Sequence, residues 1–187
     1  MNAHRIVIVP GWRNSEPVHW QSLWAERLPN VHRVQQGDWQ FPRRNDWVDR
    51  LANDIMSSRD ERVVVMAHSL GCIATAHLPP EAAARIDAAL LVAPADPERR
   101  AQLADFAPVP SQRLPYRSLL VASSNDPYCP VRLAGAYARA WGSEFVRLEN
   151  AGHINVAAGF GEWPFGLQLL SELGVEVDPA ELLRRAA

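Results

Sequence analysis

The chain is 187 residues long, 48% hydrophobic and 21% charged, the balance of an ordinary globular protein, and at this length about 70% of the unfolded surface can be buried, enough for one core in a single domain over residues 1–187. A formal net charge of -2 argues against a basic face for nucleic acid or an anionic membrane and leaves a small molecule as the expected partner. Two cysteines, Cys72 and Cys129, make neither a disulfide framework nor a zinc-site spacing, so the expected setting is a reducing cytoplasm with no metal bound.

In chain order, Arg5 to Val9 reads as a first strand; its apolar part, Ile6 to Val9, is too short for a signal-peptide core or a bilayer span. Val18 to Leu28 sets Trp20, Leu23, Trp24 and Leu28 on one helical face. After a second strand, Val31 to Gln35, a helix over Asn45 to Met56 does the same with Trp47, Val48, Leu51 and Ile55. Four further strands are expected at Arg62–Ala67, Ala88–Ala93, Ser118–Ser123 and Glu144–Leu148. Val63-Val64-Val65-Met66 and Ala89-Leu90-Leu91-Val92 are continuous apolar runs, which suit parallel strands covered on both faces by crossover helices. A doubly wound α/β fold follows. Ligands then belong at the strand ends that carry Pro- and Gly-marked loops. The Pro-punctuated stretch from Pro94 to Pro115 is expected to form a short helix and a cover over the site, and the tail from Asp178 a capped terminal helix.

The third strand runs into Ala67-His68-Ser69-Leu70-Gly71 and then a small-residue helix, the pattern of a nucleophile elbow with Ala in place of the first Gly. Such a turn exposes the serine Oγ and needs small residues two before and two after it, where backbones crowd; the plainer alternative is a strand ending in a turn that caps a helix. A hydroxyl needs a base to take its proton. Ala151-Gly152-His153-Ile154-Asn155, after the sixth strand, offers His153, in the Ser, Asp, His order of this fold. His68 is expected to point away from Ser69 Oγ and support the turn, and His19 to be structural or exposed. The imidazole in turn needs a carboxylate: Asp126 in Ser123-Ser124-Asn125-Asp126-Pro127 is preferred, and Asp96 after the fourth strand competes. Either aspartate could instead cap a turn. The oxyanion is assigned to the backbone N–H of Leu70 and of Trp12, with Gly11 letting that loop approach closely. Trp20, Trp24, Trp47 and Trp141 have helical spacing and read as core, whereas the loop residues Trp12, Trp39 and Trp163 are candidates to line the pocket. Cys72 reads as a packed small hydrophobe. Cys129 lies near Asp126 with no spare histidine and acid to activate it.

Taken together, Val9-Pro10-Gly11, Gln36-Gly37-Asp38-Trp39 with Pro42, Trp47, the elbow, Ser124-Asn125-Asp126-Pro127-Tyr128, Gly152-His153-Ile154-Asn155 and Gly161-Glu162-Trp163-Pro164 resemble the small α/β-hydrolases typified by retinoblastoma-binding protein nine and bacterial YdeN, over nearly the whole chain. The resemblance implies the α/β-hydrolase fold, a mostly parallel six-stranded sheet with no large cap domain, and a triad at Ser69, Asp126 and His153. It names no physiological substrate. The pocket-protein-binding Leu-x-Cys-x-Glu stretch is not matched, since Leu70-Gly71-Cys72 continues to Ala74. The expected chemistry is hydrolysis of a small ester, thioester or amide through an acyl-enzyme, without cofactor. Two rivals stay open: a binding module on the same fold, and acyl transfer by the same residues to an acceptor other than water.

Overall fold

Runs of β-branched residues leave one backbone donor and one acceptor per residue to be paired, and here they pair side by side. In the computed structural model, which describes residues 4–57 and 62–175, six strands, β1 (Arg5–Val9), β2 (Val31–Arg33), β3 (Val63–His68), β4 (Ile86–Val92), β5 (Arg117–Ser123) and β6 (Glu144–Leu148), form one sheet in the order β2-β1-β3-β4-β5-β6. Every neighbouring pair is parallel. The central strand β3 is buried along its whole length, as its unbroken apolar run requires.

Because alternate strand residues face opposite sides, the sheet divides its side chains between two cores. Val7, Val65, Leu91 and Leu120 pack against Trp47, Leu51 and Ile55 of α2 (Arg44–Met56), Ile73 of α3 (Leu70–Ala76) and Trp141 of α5 (Val131–Trp141). Ile8, Met66, Leu90 and Val121 pack against Trp20 and Trp24 of α1 (Trp20–Arg27) and Leu167 and Leu170 of α6 (Pro164–Glu172). A short helix, α4 (Pro80–Ala83), leads into β4. Each fully buried large side chain contributes roughly 1.5–3 kcal/mol of transfer free energy, and Trp20, Trp24, Trp47 and Trp141 are all fully buried.

The departures from expectation are local. β2 stops at Arg33 rather than Gln35, because Val34 turns inward after its N–H reaches Ile8 O at 3.0 Å and becomes buried. Helix α1 starts at Trp20, two residues later than its apolar pattern, with His19 as its N-cap: His19 Nδ1 accepts from Gln21 N–H at 3.1 Å. Neither α5 nor α6 is delimited by the patterns above. The segment from 94 to 115 holds two 3-10 helices, Pro97–Arg99 and Ala101–Phe106, whose Leu103 and Phe106 are buried in the core. The terminal helix expected from Asp178 lies outside the described residues. Among the described residues no helix is long and apolar enough to cross a membrane.

Candidate active site

The chain leaves β1 toward α1 on one face of the sheet and leaves β3 toward α3 on the other. Their loops therefore part at the carboxyl ends of two adjacent strands, where a doubly wound sheet opens a crevice. Ser69 stands at that opening with φ 56° and ψ -121°, a conformation costly for a residue with a side chain and held only where the surroundings over-determine it. The flanking glycines supply the constraint. A Cβ on Gly71 would lie 2.4 Å from Val9 O and 2.8 Å from Pro10 O, and one on Gly11 would lie 2.7 Å from Ser69 Cβ. Ala67, where the elbow pattern has its first glycine, is fully buried.

His153 comes from the loop after β6, turned by Gly152 at φ 54°. Its ring meets two partners. Nδ1 lies 2.8 Å and 3.0 Å from the two carboxylate oxygens of Asp126, and Nε2 lies 2.9 Å from Ser69 Oγ. A carboxylate only accepts, so Nδ1 carries the proton, and Nε2 presents its lone pair to the serine hydroxyl. Both groups are shielded: the His153 side chain is 8% exposed and that of Asp126 is 2% exposed. Asp126 Oδ1 also accepts from Tyr128 N–H at 2.8 Å. The competing acid, Asp96, caps a 3-10 turn instead, accepting from Glu98 N–H at 3.1 Å and facing Arg99 at 3.5 Å.

The loop that carries Asp126 also clamps the histidine loop, through three motif residues for which no such role was expected. Ser124 Oγ accepts from Asn150 N–H, Ser123 Oγ from Ala151 N–H and Asn125 Oδ1 from Gly152 N–H, at 2.8–2.9 Å. Three consecutive side chains thus satisfy three consecutive backbone donors just before His153. Below the ring lies a second support: His68 Nε2 donates to the His153 carbonyl at 2.9 Å. The His68 ring is 4.8 Å from that of His153 and 4.9 Å from that of His19. Burial, and then the charge of neighbouring groups, holds both supports neutral, lowering His68 well below the ordinary histidine value and His19 to about 3.

Two backbone N–H groups close to Ser69 in the chain or on the β1 loop have no acceptor in the secondary structure. Leu70 opens α3, where first-turn N–H groups have no intrahelical acceptor. In the β1 loop Arg13 N–H goes to Trp39 O and Asn14 N–H to Gly11 O, both at 3.0 Å, while among the described residues Trp12 N–H meets no acceptor. Around them is a cleft of about 220 Å³ whose wall includes Gly11, Trp12, His68, Ser69, Tyr128 and His153.

Two expected lining residues are elsewhere. Trp163 is buried in the second core, its indole stacked on Trp24 at 5.8 Å and tilted against Trp20 at 5.2 Å. Trp39 meets Trp47 edge-on at 5.5 Å and packs on the first core. Both indoles turn inward because apolar surface is open to them there. Neither cysteine offers a thiolate: burial drives Cys72 far above the ordinary thiol value, and burial, followed by the nearby Asp126 and Asp96 charges, raises Cys129 to about 12. Among the described residues no cluster of three His, Cys, Asp or Glu side chains could hold a metal.

The profile of the serine hydrolase family matches residues 6–172. Among solved structures, one described as a YdeN-like hydrolase from Pectobacterium atrosepticum is 34% identical, with 96% of this chain and 92% of that one covered and a TM-score of 0.82. The ydeN gene product from B. subtilis is 22% identical over 93% of this chain and 100% of that one, at a TM-score of 0.78. Esterase 2 of Thermogutta terrifontis, phosphorylated by paraoxon, is 16% identical over 91% of this chain and 82% of that one, at 0.69. At these last two identities the likeness is one of fold. No curated protein matches the sequence. With the family profile spanning nearly all of the sheet and helices just described, the chain belongs to the serine hydrolase family, on the α/β-hydrolase fold.

Proposed function

We propose that this chain hydrolyses a small ester, thioester or amide through an acyl-enzyme formed on Ser69, with His153 as general base and Asp126 as the acid that orients it. The observation that carries the reading is the hydrogen-bond chain from Asp126 through His153 to Ser69 Oγ, at 2.8 Å and 2.9 Å. His153 Nε2 takes the Oγ proton as Oγ attacks the substrate carbonyl carbon, and the carbonyl oxygen becomes an oxyanion received by the N–H groups of Leu70 and Trp12. Collapse expels the alcohol, thiol or amine, which leaves with the proton from His153. Water then attacks the acyl-serine, gives its proton to Nε2, and the second collapse returns a proton to Ser69 and releases the acid. The coulombic help of Asp126 is in holding the Nδ1 tautomer and stabilising the imidazolium.

The test pairs a covalent probe with two amide substitutions. Paraoxon, which phosphorylates the Thermogutta esterase, and a fluorophosphonate should each modify Ser69, and Ser69→Ala should not be labelled. Asp126→Asn should fold with a near-native melting temperature and lose about 10⁴ in kcat, as tautomer-reversing changes do in serine hydrolases of other folds. Asp96→Asn should keep its rate within a few-fold and melt near the wild type, since an asparagine oxygen caps a turn about as well as a carboxylate. An adduct on another residue, or an inactive Asp96→Asn beside an active Asp126→Asn, would overturn the assignment.

A further inference from the structure

We propose that the cleft selects substrates carrying a carboxylate a few bonds from the scissile carbonyl, received by the guanidinium groups of Arg100 and Arg13. The proposal rests on the catalytic reading above and deepens it by naming a substrate class.

Both cations stand on the same aromatic ring at the cleft wall. Arg13 Cζ lies 4.3 Å, and Arg100 Cζ 5.7 Å, from the centre of the Trp12 ring. Arg100 Cζ is also 4.9 Å from the ring of Tyr128, which in turn lies 4.5 Å from the His153 ring. Arg100 therefore reaches from the oxyanion side of the site to the base side. A guanidinium resting on an aromatic face keeps its planar N–H edge free, and that edge matches the two oxygens of a carboxylate.

The charges that could silence these two groups are already engaged or outnumbered. Asp96, the acidic wall residue nearest in sequence to Arg100, faces the adjacent Arg99 at 3.5 Å. Some arginines elsewhere are paired, Arg27 with Glu162, Arg117 with Glu144 and Arg147 with Glu149. Among the described residues neither Arg13 nor Arg100 is in a salt bridge. Glu16 is the remaining carboxylate on the wall, one negative charge against two positive ones.

The placement of Arg13 is also built rather than incidental. Arg13 and Asn14 both hold positive φ, 68° and 66°, a conformation unfavourable for side-chain-bearing residues that persists only when clamped. The clamp is Arg33, whose Nη2 donates to Asn14 Oδ1 at 2.7 Å and to Ser15 O at 2.9 Å. One half-buried arginine thus fixes the loop that carries the exposed Arg13.

The experiment compares kcat/KM for monomethyl glutarate, its neutral isostere methyl 4-carbamoylbutanoate and the cationic methyl 5-aminopentanoate. A second pair, 4-carboxyphenyl and 4-carbamoylphenyl butyrate, tells a carboxylate on the acyl side from one on the leaving group. The anionic member of at least one pair should be preferred by about tenfold or more, a ratio that shrinks as salt rises, and the ratio should collapse toward one in Arg13→Gln/Arg100→Gln. Glu16→Gln should enlarge it. Binding of glutarate to Ser69→Ala, followed by calorimetry, reads the same contacts without turnover and should be lost when both arginines are also replaced. Equal rates within both pairs in the wild type, a preference that survives the double substitution, or a faster cationic ester would each overturn the proposal. Loss of neutral-ester turnover in Ser69→Ala reports separately on the catalytic reading, so a dead preference with a live triad, or glutarate binding with a failed triad, tells the two apart.

Discussion

Replacing Gly11 by alanine probes the contact between the β1 loop and Ser69 more sharply than replacing any side chain in the site. A Cβ there would lie 2.7 Å from Ser69 Cβ, 3.0 Å from His68 O and 3.3 Å from Ser69 Oγ. Carbon atoms in van der Waals contact sit about 3.5–4.0 Å apart, so the new methyl and the serine must separate by about 1 Å. Neither side yields easily: Ser69 is held by the elbow, and the loop carries both the Trp12 N–H and the clamp from Arg33. Overpacking of this kind costs typically 1–3 kcal/mol of stability, and a displacement of about 1 Å between reacting groups costs about 10²-fold in rate. Gly37→Ala is the matched control, since a Cβ at that position meets nothing within 4 Å. Hydrolysis of p-nitrophenyl butyrate and the rate of fluorophosphonate labelling, read beside the melting temperature, separate the two costs. Gly11→Ala should lose about two orders of magnitude in both rates while remaining folded, and Gly37→Ala should resemble the wild type. A Gly11→Ala protein within three-fold of wild-type rates would refute the geometry, because the loop would then be free to retreat and could not be placing an oxyanion donor.

Stability should fall as pH drops below about 6.5. His19 and His68 are held below their unfolded value, so the unfolded chain takes up protons first, and each site adds a slope of up to about 1.4 kcal/mol per pH unit between 6.5 and its folded value; for His19 that window closes at about 3. Above pH 6.5 the contribution is fully present. His19→Asn, which keeps an N-cap side chain, should melt with a shallower dependence between pH 4.5 and 6.5, and an unchanged slope would show that His19 titrates normally. The cleft of about 220 Å³ should favour short acyl groups, because a buried methylene adds ~0.8 kcal/mol only where a channel receives it; a higher kcat/KM for a p-nitrophenyl C16 ester than for the C4 ester would contradict this.

The parts of the site readable in the sequence were those whose chemistry is local. The elbow is five consecutive residues whose small members answer to one steric demand, and the contacts at Gly71 and Gly11 show that demand in ångströms. The continuous apolar runs likewise announced buried parallel strands, since crossover helices cover both faces of such a sheet. What stayed hidden depends on residues far apart in the chain. Ser123, Ser124 and Asn125 look like ordinary turn residues until the loop 26–28 positions later sets its N–H groups against them. Trp39 and Trp163 sit in loops as read, yet a loop position does not say which way an indole turns. For Trp163, a backbone at φ 42° swings the ring onto Trp20 and Trp24. His19 was indistinct for the opposite reason, because a histidine before a helix is commonplace and its burial is set by the sheet beneath it.

His19, His68 and His153 have different electrostatic duties, although their rings meet in series, edge-on and then tilted. If His68 were protonated, a positive charge would lie within 5 Å of the His153 ring, with His19 one ring further on, and forming an imidazolium at His153 would then oppose a like charge in a shielded site. Their depressed values remove that opposition across the pH range in which the fold is most stable. The neutrality also has a structural use: with Nε2–H committed to the His153 carbonyl, His68 anchors the backbone of His153 while Asp126 anchors its ring. Backbone and ring are thus fixed by separate partners, so His153 can gain and lose a proton at Nε2 without either anchor having to move.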